Sequence, residues 1–173
     1  MVSGEVDHTV FMALALEQAE EALGRGEFPV GCILVHDNEV VGHGRRESST
    51  GNELDHAEVM ALRAFMADED HPPPCEVTVY STMEPCLMCF STLVLNGFRK
   101  VVYGYEDVMG GGTNLPLSRL NPLYREIRMQ IDGGVLRRES AALFKRFFED
   151  PQNNYWHDSL LARHTLELNI EEM

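Results

Sequence analysis

No stretch of about 18 consecutive apolar residues occurs in the 173-residue sequence, so no transmembrane helix is expected. Nor does a basic segment precede an apolar run within Met1 to Glu20. That argues against a secretion signal and for a cytoplasmic protein. Lysine is nearly missing. Twelve of the 14 basic residues are Arg, against 28 acidic residues, which leaves a net charge of −14. Such a deficit counts against a broad phosphate-binding surface, because nucleic-acid affinity comes mainly from Lys and Arg at phosphates. The pairs Arg45-Arg46 and Arg137-Arg138 read as solvated surface charge. Cysteine is scarce too: Cys32, Cys75, Cys86 and Cys89. Without a secretion signal they do not suggest a disulfide framework. Repeats and low-complexity tracts are missing. What remains is ordinary globular composition, 44% hydrophobic and 24% charged, at the length of one domain.

Helical spacing of Phe11, Leu14, Ala15, Ala22 and Leu23 predicts a helix over 8–23, stopped by Gly24 and Gly26. The β-branched run from Val30 to Val35, the turn His36-Asp37-Asn38 and the segment Glu39 to Gly44 predict a hairpin. A polar loop over 45–55 leads to a helix from Ala57 to Ala67, closed by acidic residues and Pro72-Pro73-Pro74. A strand is expected from Glu76 to Tyr80, a helix from Cys86 to Asn96 and a strand from Lys100 to Tyr105. Gly110-Gly111-Gly112 reads as a flexible loop running to about residue 121. A weak strand over 128–131, a strong helix over 138–148 and a short helix over 155–168 complete the chain. A helix between two strands makes them parallel neighbours. The expected class is α/β: five strands with helices on both faces. Residues 1–150 would form the domain and 151–173 a helical tail packed on it.

Two strings carry the chemistry: His56-Ala57-Glu58 and Pro85-Cys86-Leu87-Met88-Cys89, each at the start of a predicted helix. Cys86 and Cys89 share a helix face, so both sulfurs can reach one ion. A helix N-terminus favours thiolates, the form a metal needs. Two thiolates leave a Zn²⁺ site incomplete, and no second C-x-x-C closes it. A His as third ligand would leave one position open, the mark of a catalytic zinc. Among seven His residues, His56 stands out because Glu58 lies two residues away, placed to act as general acid and base. C-x-x-C alone also has a redox reading, and H-x-E alone is weak. The two together, with 26 residues between Glu58 and Pro85, favour metal catalysis.

H-x-E followed by P-C-x-x-C is the pattern of zinc nucleobase deaminases. The sequence resembles the cytidine and deoxycytidylate deaminase superfamily, most of all the branch of tRNA adenosine deaminases and bacterial guanine deaminases. The likeness spans about residues 8–150. It includes Phe28-Pro29-Val30-Gly31, His56 to Leu62, Glu84 to Cys89 and Val101-Val102-Tyr103-Gly104. It implies a three-layer α/β/α fold with a mixed five-stranded sheet, one Zn²⁺ on His56, Cys86 and Cys89, Glu58 as proton shuttle, and a homodimer. The helix bearing Leu93, Val94 and Leu95 is expected to contribute to that dimer. The tRNA enzymes commonly carry Trp-Asn after the second strand, where Arg45-Arg46 stands here. Candidate substrate contacts are therefore Phe28, Arg46, Asn52 (as a substitute amide), Asp55, the Ala57 backbone, Glu84 and Pro85. Asp55 is either an orienting partner of His56 or a helix cap. Tyr155-Trp156 either packs on the domain or closes a pocket. The expected substrate is a free base, nucleoside or similar small amino-heterocycle. A tRNA adenosine is the alternative, disfavoured by charge. A non-catalytic zinc-stabilised dimerisation module is a third reading, against which Glu58 speaks.

Overall fold

The computed structural model describes residues 7–173. The first six, at the front of the segment read for a secretion signal, lie outside it. Helix α1 (His8–Gly24) opens on Asp7, whose side chain accepts from the Thr9 N–H. Strands β1 (Gly31–His36) and β2 (Glu39–Arg45) form the hairpin. Its turn residues Asp37 and Asn38 take φ of 49° and 65°, the left-handed conformation that two-residue hairpin turns require. Then follow α2 (Ala57–Met66), β3 (Thr78–Met83), α3 (Leu87–Leu95) and β4 (Lys100–Tyr105). The short helix α4 (Pro122–Arg125), β5 (Gln130–Gly133), α5 (Arg137–Glu149) and α6 (Leu160–Glu167) close the order.

The five strands make one mixed sheet in the order β2-β1-β3-β4-β5. β1 is antiparallel to β2 and β3, whereas β3, β4 and β5 run parallel, joined through α3 and the later loops. Alternation along the strands divides the core. Cys32, Leu34, Val79 and Val101 face α2 and α3, where Ala61, Phe65 and Leu93 cover them. Ile33, Val35, Tyr80 and Val102 face α1, where Phe11, Met12 and Ala15 cover them. This is the three-layer α/β/α architecture. On the β2 side, Gly44 lets α2 sit directly on the sheet. A Cβ there would strike the Ala57 carbonyl and the Ala61 N–H. That close approach sets the height of the start of α2, and so of His56, above the strands. Among the described residues, no helix is long and apolar enough to cross a membrane.

Several boundaries differ from the sequence expectation. β3 starts later and runs on to Met83, because Pro74–Glu76 form a 3₁₀ turn. Its polar end stays buried because it is partnered: Thr82 Oγ1 accepts from Gly31 N–H at 3.1 Å. β5 is shifted to Gln130–Gly133, and α4 stands just past the expected loop, in a stretch assigned no element. The last helix begins only at Leu160. Trp156 has φ 56°, outside the helical region, and Ser159 caps the true start. Leu93 and Val94, expected at a dimer contact, are buried in the chain's own core; only Leu95 is exposed.

Candidate metal centre and active-site pocket

The ends of β1, β2 and β3 bring two helix starts together. His56 is the N-cap of α2 and Cys86 the N-cap of α3, both in extended backbone conformation. One helical turn on, Cys89 is buried. His56 Nδ1 lies 3.5 Å from the Cys86 sulfur and 3.5 Å from the Cys89 sulfur. All three atoms lie within 4.8 Å of one another. A tetrahedral zinc, with bonds of about 2.3 Å to sulfur and about 2.0 Å to nitrogen, would space nitrogen and sulfur by about 3.5 Å. The donor set and its spacing therefore fit zinc. Two thiolates this close repel, and the pair splits. The Cys89 hydrogen bond, helped by His56 and opposed by burial, brings the Cys86 thiol down to about 4. The bond to Cys86 and burial push Cys89 up. A divalent cation between the sulfurs satisfies both anions at once.

Glu58 is 4% exposed, in the first turn of α2. Burial, and then the charge of Cys86, push its carboxyl up. Ser81 Oγ donates to its Oε1 at 3.2 Å, which fixes its orientation. The outer nitrogen of His56 is held as well. Nε2 lies 3.4 Å from the Glu53 carboxylate, the kind of outer partner that sets a ligand's tautomer. Asp55 does not play that part. It takes Asn52 Nδ2 at 2.6 Å and Arg63 Nη1 at 3.0 Å. Nor is it a cap, since α2 has no side-chain cap bond.

Of these groups, Glu53, His56, Glu58 and Cys86 border a pocket. Phe28, Val30, Met83, Leu161 and Trp156 give it apolar walls. Arg46, Glu53, Glu58, Glu84 and Asp107 give it polar ones. Of the candidate substrate contacts, Phe28, Arg46, Ala57 and Glu84 line it. Asn52 lies outside the lining. Its side chain is spent on Asp55 and the Leu54 N–H, while its carbonyl accepts from Arg46 at 2.8 Å. Pro85 and Asp55 lie outside the lining too. Pro85 is buried, and its carbonyl accepts from Gly112 N–H at 2.9 Å. Arg46 overturns the reading as solvated charge: it is 2% exposed. Arg45 is tied to Glu21 at 3.2 Å.

The triglycine segment is packed structure. Gly111 bridges Cys86, and a Cβ on Gly112 would lie 2.6 Å from the backbone of Leu87. The cysteine turn and this loop fit only because no side chain stands between them. Spacing reasoning missed Glu53, Asp107, Met109 and Gly110, which reach the pocket from loops that carry no periodic signal. Tyr155-Trp156 joins both earlier readings. Tyr155 packs on Phe28 with ring centroids 5.2 Å apart, and both residues line the pocket. Tyr155 Oη donates to Glu53 at 3.0 Å.

Residues 5–105 match the family model described as the cytidine and deoxycytidylate deaminase zinc-binding region. The chain belongs to this family. It is 32% identical over 143 residues to a "tRNA-specific adenosine deaminase" of Streptococcus pyogenes, covering 82% of this chain and 90% of that one. It is 35% identical over 153 residues to "tRNA-specific adenosine deaminase 2" of Danio rerio, covering 83% and 72%. A solved structure from a study of A-to-I editing at the wobble position of transfer RNA is similar at TM-score 0.64 and 28% identity, covering 78% of this chain and 99% of that one. The protein NE0047 in complex with 2,6-diaminopurine aligns at TM-score 0.65 and 18% identity, covering 84% and 85%. At that identity the likeness is one of fold.

Proposed function

We propose that the chain is a hydrolytic deaminase of a small amino-heterocycle, a free base or nucleoside. It would replace a ring C–NH₂ by C=O with water and release ammonia. The observation that carries this reading is a buried carboxyl, Glu58, beside an N,S,S donor set at zinc spacing, with Glu58, His56 and Cys86 bordering one pocket. His56, Cys86 and Cys89 would hold the zinc. Zinc, when bound, supplies Lewis acidity that makes water nucleophilic near neutral pH.

Glu58 does the proton work. It takes a proton from the attacking water and passes it to the ring nitrogen next to the reacting carbon. The water oxygen bonds to the carbon, and its second proton passes to the amine, which leaves as NH₃ as the C–N bond breaks and the C=O forms. Burial raises this carboxyl above the ordinary carboxylate range, the direction that helps it hold a proton between the two transfers. Ser81 keeps it aimed, and the apolar walls exclude bulk water from the ring.

Two features support a small substrate. The segment bearing Tyr155, Trp156 and Leu161 borders the pocket and narrows what can enter. The basic residues nearby are matched by acids: Arg45 with Glu21, Arg63 with Asp55, Arg137 with Glu106. They leave little positive surface for an RNA backbone. The relatives' names favour a second reading, adenosine in tRNA. Ammonia release by the zinc-loaded protein from free bases, from nucleosides and from tRNA separates the two. Turnover of free rings is expected, and turnover of tRNA alone would overturn the first reading.

A further inference from the structure

Tyr155 stands in the turn before α6 and touches three other parts of the chain. Its ring packs on Phe28, with centroids 5.2 Å apart, and the Arg46 guanidinium carbon lies 5.7 Å over its face. That face is an electron-rich partner for a buried cation whose Nε and Nη1 have no hydrogen-bond partner. Its hydroxyl donates to both oxygens of Glu53, at 3.0 and 3.3 Å. The segment is anchored just beyond: Leu161 and Ala162 are buried, and Thr165 Oγ1 lies 3.0 Å from Tyr105 Oη. Trp156, the next residue, takes φ 56°, a conformation that costs a bulky side chain. The chain accepts that cost where it sets Tyr155 and Trp156 on the pocket.

Glu53 is a carboxylate that needs holding. It lies in a loop, and its side chain is 60% exposed. Left alone, such a side chain samples several rotamers, and ordering it costs entropy. Here one oxygen, Oε2, collects three groups: Tyr155 Oη at 3.0 Å, Arg46 Nη2 at 3.2 Å and His56 Nε2 at 3.4 Å. The first two fix the carboxylate. The third is the outer nitrogen of a ring whose Nδ1 faces the two cysteine sulfurs. A metal-binding His keeps its ring orientation and tautomer through such an outer acceptor. The path from the C-terminal segment to the metal centre is thus two hydrogen bonds long. Resting on His56 as a zinc ligand in the reading above, we propose that Tyr155 is a positioning residue of the metal centre. It holds Glu53, Glu53 holds His56 Nε2, and the segment after α5 contributes to zinc retention as well as to the pocket wall.

The test reads zinc affinity by competition with a chromogenic chelator, so it needs no substrate. Tyr155→Phe keeps the ring on Phe28 and Arg46 and removes only the hydroxyl. Its zinc affinity should fall by about 3–10-fold, a share of the about 10–100-fold that outer partners of a metal-binding His carry. Glu53→Ala should lose about that full 10–100-fold, and Glu53→Gln, which keeps a neutral acceptor, less. Tyr155→Phe combined with Glu53→Ala should lose no more than Glu53→Ala alone, because the hydroxyl then has nothing to hold. The His56 Nε2–H proton, followed by NMR in the zinc-loaded protein, should exchange faster with water in Tyr155→Phe. A merely structural Tyr155 would leave that proton unchanged and would lower the melting temperature of the metal-free protein instead. Wild-type zinc affinity in a folded Tyr155→Phe would overturn the proposal. So would full additivity in the double variant. His56→Ala separates this claim from the metal reading. Zinc affinity unchanged by His56→Ala would sink that reading and this one with it. A loss there, with Tyr155→Phe at the wild-type value, would sink this one alone.

Discussion

Cys86 and Cys89 are three residues apart, and His56 lies thirty positions before Cys86, yet their ligand atoms converge within 4.8 Å. Removing both sulfurs, as Cys86→Ala with Cys89→Ala, should take the protein from about one zinc per chain to nearly none. Metal analysis after purification reads this, and full retention would remove these residues from the site. Asp55 offers the contrast. Its bonds go to Asn52 and to exposed Arg63, so Asp55→Ala should cost about 1 kcal/mol or less and leave zinc content unchanged. A large loss of zinc would return it to the neighbourhood of His56. The three metal-binding candidates and Glu58 could be read from the sequence because their chemistry shows in residue type and local spacing. Glu53 could not. It is one of several carboxylates in a loop, and only the fold turns it toward His56, Arg46 and Tyr155.

Helix and strand positions followed from apolar periodicity wherever packing alone decides. β1, α2 and β4 are such cases. β3 was harder because its inner end is polar: Ser81 and Thr82 are buried on hydrogen bonds to Glu58 and Gly31. Partners distant in sequence made that extension invisible to pattern. The same holds for the glycines. Gly112 looked like freedom and is in fact a close approach. Gly112→Val should push the loop off the cysteine turn, lowering zinc affinity and melting temperature together. At Gly44, a Val would strike the backbone of α2 and should cost several kcal/mol, of the order of overpacking a filled core. Thermal unfolding checks both, and a wild-type melting temperature for Gly44→Val would contradict the seating of α2 described above.

Across the whole molecule, the acidic excess sets the pH response. Burial raises the Glu106 carboxyl, but its hydrogen bonds from Arg137 outweigh this and lower it below its ordinary value. A depressed folded pKa means that the pair's stability is present above the unfolded value of about 4.3 and lost as pH falls through the folded one. Melting temperature should therefore fall below about pH 4, and Arg137→Met should flatten part of that fall. An unchanged slope in the variant would count against the pair. The family likeness leads us to expect a homodimer in sedimentation. Leu87 and Leu95, not Leu93 or Val94, are the exposed leucines of α3 available to it. The C-terminal segment was legible as a helix, and Tyr155-Trp156 as either packing on the domain or closing a pocket; that they do both was not, since they reach the pocket through a turn rather than a helix.

The measurement that bears most directly on the deaminase reading is made on one variant, Glu58→Ala, beside the wild type. Zinc content, melting temperature and ammonia release are read on the same preparations, with whichever free ring the wild type turns over. The expected result is unchanged zinc, a similar melting temperature and a loss of turnover at or beyond about 10⁴-fold, since one carboxyl serves both the water and the leaving amine. Wild-type ammonia release from a folded, zinc-loaded Glu58→Ala protein would contradict the mechanism.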